Sequence, residues 1–185
     1  MPWEFDPGHS IVEFSAKHMG IAILKGRFFK SEVIVHIDDD DITQSTLEAT
    51  IDPASVNVFH ERATELFKSE AHLDVARYPE ITFKSRRIEP RGDNYAIIGD
   101  LSLHGVTREV AWDATYNGEA NDHFGRTKRG FSAYTTVNLP DYGISGSSRA
   151  GEGGDEHVRV ELQVELIKRE EGEAVARRGG PGPRH

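Results

Sequence analysis

Nine histidines and 31 Asp or Glu side chains are the residues of this chain with the chemistry to hold a metal or move a proton. Their spacing supplies neither function. No His-Glu-x-x-His or His-x-His pattern occurs, so no helix turn or strand face presents paired imidazoles to zinc. The run Asp38 to Asp41 has the carboxylates of a calcium loop, but the sixth position holds Thr43 and the twelfth Ala49, where an EF-hand needs Gly and Glu. It reads as an acidic hairpin turn. Gly143-Ile144-Ser145-Gly146-Ser147-Ser148 lacks the Gly-x-Ser-x-Gly spacing of a nucleophile elbow. Gly151 to Glu156 lacks the third glycine of a dinucleotide fingerprint. His9 follows a turn glycine and is expected to hold that turn. His104 precedes Gly105 at a tight corner, where its ring can bond a backbone carbonyl. His18 stands where a strand breaks at Gly20, and a pKa near neutrality suits it to acid/base work. No partner is placed beside it by sequence. With no cysteine, disulfides, zinc thiolates and iron–sulfur sites are excluded.

The elements that must position these residues are strands. In His157 to Leu166, Val158, Val160, Leu162, Val164 and Leu166 share one face, and Arg159, Glu161, Gln163 and Glu165 the other. A strand wet on one side belongs to an antiparallel sheet. Strands are expected at 9–17, 24–38, 44–52, 79–90, 94–104, 106–118, 124–138 and 156–168, separated by Gly, Asn and Asp turn signals. One helix is expected after Asp52-Pro53, with Phe59, Ala63, Leu66 and Phe67 on one face. So little helix cannot cover both faces of an eight-stranded sheet, which must bury its apolar face by closing on itself. The expectation is all-β: an eight-stranded antiparallel barrel over residues 1–168, the helix lidding one end, and a disordered charged tail over 169–185.

A net charge of −9 argues against nucleic acid as a partner, and against binding anionic bilayers by charge alone. No apolar run approaches the ~20 residues of a membrane span. Met1-Pro2-Trp3-Glu4-Phe5-Asp6 has neither the basic nor the apolar region of a signal peptide, so a cytoplasmic location is expected.

Four blocks of residues, in order and spacing, resemble the YceI-like family. They are Asp6-Pro7-Gly8-His9-Ser10 with Val12, Phe14, Lys17, His18, Gly20 and Gly26-Arg27-Phe28; Ile51 to Asn57 with Arg62, Leu66, Lys68 and Ser69; Val75 to Ser85; and Gly99 to Val110. The resemblance covers roughly residues 3–168. It implies a lipocalin-like barrel with an elongated apolar cavity for polyisoprenoids, quinones or long fatty amides. Many members are exported, and this chain departs from them in its start. It departs also at Val137 to Ile144, where the family's usual turn is altered. A long-chain amphiphile is thus the expected partner and ligand, with no other cofactor, and barrel-edge strands could pair two copies into a homodimer.

For the ligand, Val12 with Phe14 and Ile81 with Phe83 share the apolar phase of their strands. Phe28, Trp112, Phe131 and Tyr134 are further strand aromatics that either line a tunnel or fill a solid core. Tyr142 and Arg149, near the altered turn, are expected to meet a polar or anionic head group, with His18 at the kinked corner. Two rival readings stand beside carriage of a lipid. One is an enzyme acting on a hydrophobic substrate through His18. The other is a scaffold whose barrel is filled by its own side chains.

Overall fold

The computed structural model describes residues 3–18, 20–145 and 156–169. Eleven strands form one antiparallel sheet: β1 (Trp3–Phe5), β2 (Ile11–His18), β3 (Ala22–Phe28), β4 (Ser31–His36), β5 (Thr46–Ile51), β6 (Val56–Asn57), β7 (Ile81–Arg91), β8 (Asn94–Leu103), β9 (Val106–Asn121), β10 (Thr127–Asn138) and β11 (His157–Lys168). The order is β4-β5-β7-β8-β9-β10-β11-β2-β3-β6, with β1 adding to β11. The sheet curls until β1 lies beside β4. No ladder joins those two strands among the described residues, so a seam runs where the closed ring was expected.

Eleven strands replace eight for local reasons. The expected strand 24–38 is two, because Ser55 intervenes at the corner: its Oγ accepts from the N–H groups of Phe29 at 3.1 Å and Lys30 at 3.0 Å. Those donors are diverted from any ladder, and the chain turns between β3 and β4. β1 and β6 are three and two residues long, too short for a period to show. The long alternating strand stands as read. Within β11, Val160 lies opposite Phe14, and Leu162 opposite Val12 and Ala133.

Asp52-Pro53 opens only a short 3-10 turn, Pro53–Ser55, with the Asp52 carboxylate accepting from Ala54 N–H at 2.9 Å. The helix proper, α1, is Glu61–Lys68, capped by His60, whose Nδ1 accepts from Ala63 N–H at 3.2 Å. Between them Val56 and Asn57 pair with β3, which sequence spacing did not reveal. Ala63 and Phe67 turn inward as expected, whereas Phe59 and Leu66 are exposed.

Three turns, two of them carrying family-like residues, are held by specific bonds. Asp6 accepts from Gly8 N–H and pairs with His9 Nδ1 at 2.8 Å, and the Ser10 hydroxyl both donates to Asp6 O and accepts from Glu165 N–H. His104 and Gly105, with φ of 52° and 74°, make the two-residue β8–β9 turn, a left-handed pair that suits the twist of a hairpin. The His104 ring bonds Tyr142 O at 3.0 Å and packs against Tyr78, so the expected corner role holds. The acidic run forms the β4–β5 connection, with Asp38 accepting from the N–H groups of Asp40 and Asp41.

Of the expected tail 169–185 only Arg169 falls within the described residues, where it pairs with Glu4.

Candidate ligand cavity

Curling brings the apolar faces of the strands around one cavity of about 180 Å³. Side chains from every strand except β3 and β6 reach it, and its wall is almost wholly apolar. Val12, Ile81, Phe83, Trp112 and Phe131, all named from sequence, lie on that wall. Phe83 and Trp112 meet edge to face at 6.0 Å between centroids. The Trp112 Nε1 donor is buried with no hydrogen-bond partner among the described residues. Tyr116 and Phe131 pair at 5.3 Å, and Tyr116 is 43% exposed, so the wall reaches the surface there.

The other named residues lie elsewhere. Phe14 and Phe28 pack at 5.4 Å, and Phe14 and Phe67 at 6.0 Å, in a second cluster with Val56 and Val58. Together with α1 this cluster plugs one end of the barrel, as a lidding helix should. Phe14 reaches this position because Gly26 faces it across the ladder and has no side chain: a Cβ there would sit 2.2 Å from the Phe14 ring. Tyr134 is not on the cavity wall. It is 41% exposed on the outer face, where its hydroxyl donates to Asp113 and its ring lies under Arg159. Its strand phase is opposite to that of Ala133 and Phe131, which lies past a register shift at Gly130/Phe131. Tyr142 is buried in the core beside Ile144 and Val137, not at a mouth, and burial pushes its phenol pKa up. His18 is exposed at the end of β2 and is not among the residues of the cavity wall. Arg149 lies outside the described residues.

The inner faces of three strands escaped sequence reading. Val33 and Val35 on β4, Leu47 and Ala49 on β5, and Ile97 and Leu101 on β8 all line the cavity. The signal was present in β4, where Val33 and Val35 alternate with Glu32, Ile34 and His36, but exposed Ile34 blurred the phase.

Polar clusters ring the seam. Arg129 on β10 reaches Asp39 of the β4–β5 connection at 2.6 Å and Glu119 at 2.9 Å, with its guanidinium 4.2 Å above the Trp3 ring. The Arg129 guanidinium holds the Asp39 carboxyl below its ordinary range. Asp6, His9 and Glu165 gather within metal-ligand reach of one another. The Lys128 ammonium already sits between the two carboxylates, 3.0 Å from Asp6 and 2.9 Å from Glu165, and supplies the positive charge such a group needs. Burial by itself raises the Asp6 carboxyl, but hydrogen bonds from His9, Lys128 and Gly8 outweigh it and leave the pKa below 3.8. A lowered folded-state pKa contributes stability above pH 3.8 and loses it as pH falls through the folded value. Lys128→Met should therefore shrink the acid-side fall in melting temperature and cost about 2 kcal/mol near neutral pH, the worth of hydrogen bonds to charged groups. Thermal melts of both chains from pH 7 to pH 2 check this, and parallel acid-side curves would refute it.

The cavity, the helix plug and the tied opening turn occur in a chain whose residues 3–166 match the family model of the YceI-like domain. The protein belongs to the YceI-like family. A UPF0312 protein of Pseudomonas putida is 33% identical over 154 residues, which is 83% of this chain and 80% of that protein. Burkholderia cenocepacia BcnA superposes with a TM-score of 0.79 at 20% identity, covering 88% of this chain and 99% of BcnA. A polyisoprenoid-binding domain from Saccharophagus degradans, implicated in plant cell wall breakdown, superposes at 0.64 with 14% identity over 90% of this chain and 98% of that domain. These neighbours establish the YceI-like, lipocalin-type fold. No helix among the described residues is long and apolar enough to cross a membrane.

Proposed function

We propose that this YceI-like protein binds a long-chain isoprenoid or quinone-like amphiphile in its barrel and sequesters or carries it. The observation that carries this reading is the cavity itself, walled by apolar side chains of nine strands and almost free of polar surface. Such a wall suits a hydrocarbon chain, which gains about 0.8 kcal/mol for each methylene removed from water. The few polar contacts a head group needs would lie at the surface end, beside Tyr116. The neighbour described as a polyisoprenoid-binding domain supports the same ligand class. Val12, Ile81, Phe83, Trp112 and Phe131 are the proposed contacts, extended by Leu101, Val33 and Val35. Carriage of this kind needs no catalytic group.

Mass spectrometry of an organic extract of the purified protein, matched to the native mass of the intact complex, tests the proposal. A long-chain isoprenoid or quinone at one per chain is expected. A chain that carries none and takes up none when offered a polyprenol or ubiquinone would overturn it.

A further inference from the structure

The β2–β3 hairpin differs from the rest of the molecule in charge and in exposure. From Phe14 to Ser31 the chain holds Lys17, Lys25, Arg27 and Lys30 and no acidic residue, although its net charge is −9 with 31 Asp and Glu in all. Lys17 and Lys25 have no carboxylate partner among the described residues, and Lys30 reaches Asp52 only at 4.0 Å. Glu13 stands opposite Arg27 at the base of the hairpin, away from its end. The end itself is bare. Leu24 is the last residue of β3 to pack on the Phe14 cluster, and beyond it the described residues of the turn are exposed. Ile21 is 84% exposed and Ile23 60%. Ile21 N–H closes the turn onto His18 O, with Gly20 at φ 71°, so the isoleucine is held out on a formed turn. Ile23 and Lys25 fall on the outer face of β3, and Lys17 lies opposite Ile23.

Two bare isoleucines at a tip backed by unpaired lysines fit one kind of surface, in which an apolar layer lies beneath negative charge. We infer that the β2–β3 hairpin docks on an anionic lipid bilayer, with Ile21 and Ile23 entering the head-group boundary and Lys17 and Lys25 lying against lipid phosphates. The acidity that disfavours such binding lies outside residues 14–31. The inference rests on the amphiphile reading above, because a carrier must meet the membrane that holds its ligand.

Flotation of the full chain with vesicles of phosphatidylcholine and phosphatidylglycerol in equal parts, against phosphatidylcholine alone, tests the docking. The chain should float with the anionic vesicles and lose most of that binding in high salt. Ile21→Asp with Ile23→Asp should abolish flotation. Lys17→Glu with Lys25→Glu should weaken it by more than about twentyfold, at roughly fivefold for each cation lost. Both variants alter exposed positions and should keep the wild-type melting temperature and the extracted amphiphile. Wild-type chain that stays in the aqueous layer overturns the assignment, and so do variants that float as well as wild type. Extracted lipid scores the cavity reading separately, so either idea can fail without the other.

Discussion

Gly99→Val should cost about 3 kcal/mol of folding free energy, the upper range for overfilling a packed site. Gly99 lies on β8 against β7, opposite Ser85. A Cβ there would sit 2.2 Å from Lys84 O, 2.8 Å from Ser85 Cα and 2.7 Å from the Phe83 ring. Two of those three atoms are backbone, and the ladder holds them, so the contact has no flexible side to yield. β7 already departs from regular pairing between Ser85 and Arg87, where an extra residue enters the strand. The Phe83 ring over the glycine also belongs to the cavity wall, so strain at Gly99 reaches the ligand site. Gly92→Ala is the control. Gly92 has φ 61° in the β7–β8 turn and open space around its Cα, and should cost only about 1 kcal/mol for the left-handed backbone. Urea unfolding of the three chains measures both. Equal losses would show that close approach does not decide the Gly99 position.

The second large effect is on binding. Ala114 lies on β9 between Tyr95 of β8 and Ala133 of β10, and all three line the cavity. The two facing alanines leave room that a larger side chain would occupy. Ala114→Phe should place a ring in the 180 Å³ cavity and leave the ladder intact. The co-purifying amphiphile should fall roughly tenfold or more, the loss that follows from about 1.4 kcal/mol of blocked contact. Because the ring enters empty space, the melting temperature should stay near or above that of the empty wild-type protein. An Ala114→Phe chain that folds and extracts with a full complement of lipid would place the ligand outside this cavity.

The strand content and apolar phase of β2, β7 and β11 were legible in the chain, because each alternates over several residues with one wet face. The same phase put Val12, Ile81 and Phe83 on the cavity wall. Phe14 shows where phase stops helping. It points inward as expected, yet height along the barrel axis decides whether an inward residue meets the cavity or the α1 plug, and that height comes from pairing with β3 and β11. Tyr134 failed for a related reason. Tyr134 stands three positions from Phe131 on a strand that pairs regularly with β11, so it takes the opposite face, and an aromatic on a strand announces neither face by itself. Tyr142, expected to meet a head group at the altered turn, is buried in the core. His104 and Arg108 draw that turn onto the barrel through Tyr142 O and Asp141 O, contacts made across more than thirty residues of chain. His9 was legible because its bond to Asp6 lies within its own turn, whereas for His104 only the corner was legible and not the distant carbonyl that its ring bonds.

The sheet order also governs how the protein is made. β2 is joined to the sheet through β11, so Val12 waits for Leu162, about 150 positions later in the chain. At a synthesis rate of about 5–20 residues per second, the finished β2–β3 hairpin spends roughly seven to thirty seconds outside the ribosome with one edge unpaired. Its isoleucines are bare throughout, and Phe14 lacks the Val160 that later lies opposite it. A nascent chain stalled before β11 should therefore be a strong client for chaperones, and release of the last strand should end that dependence in one step.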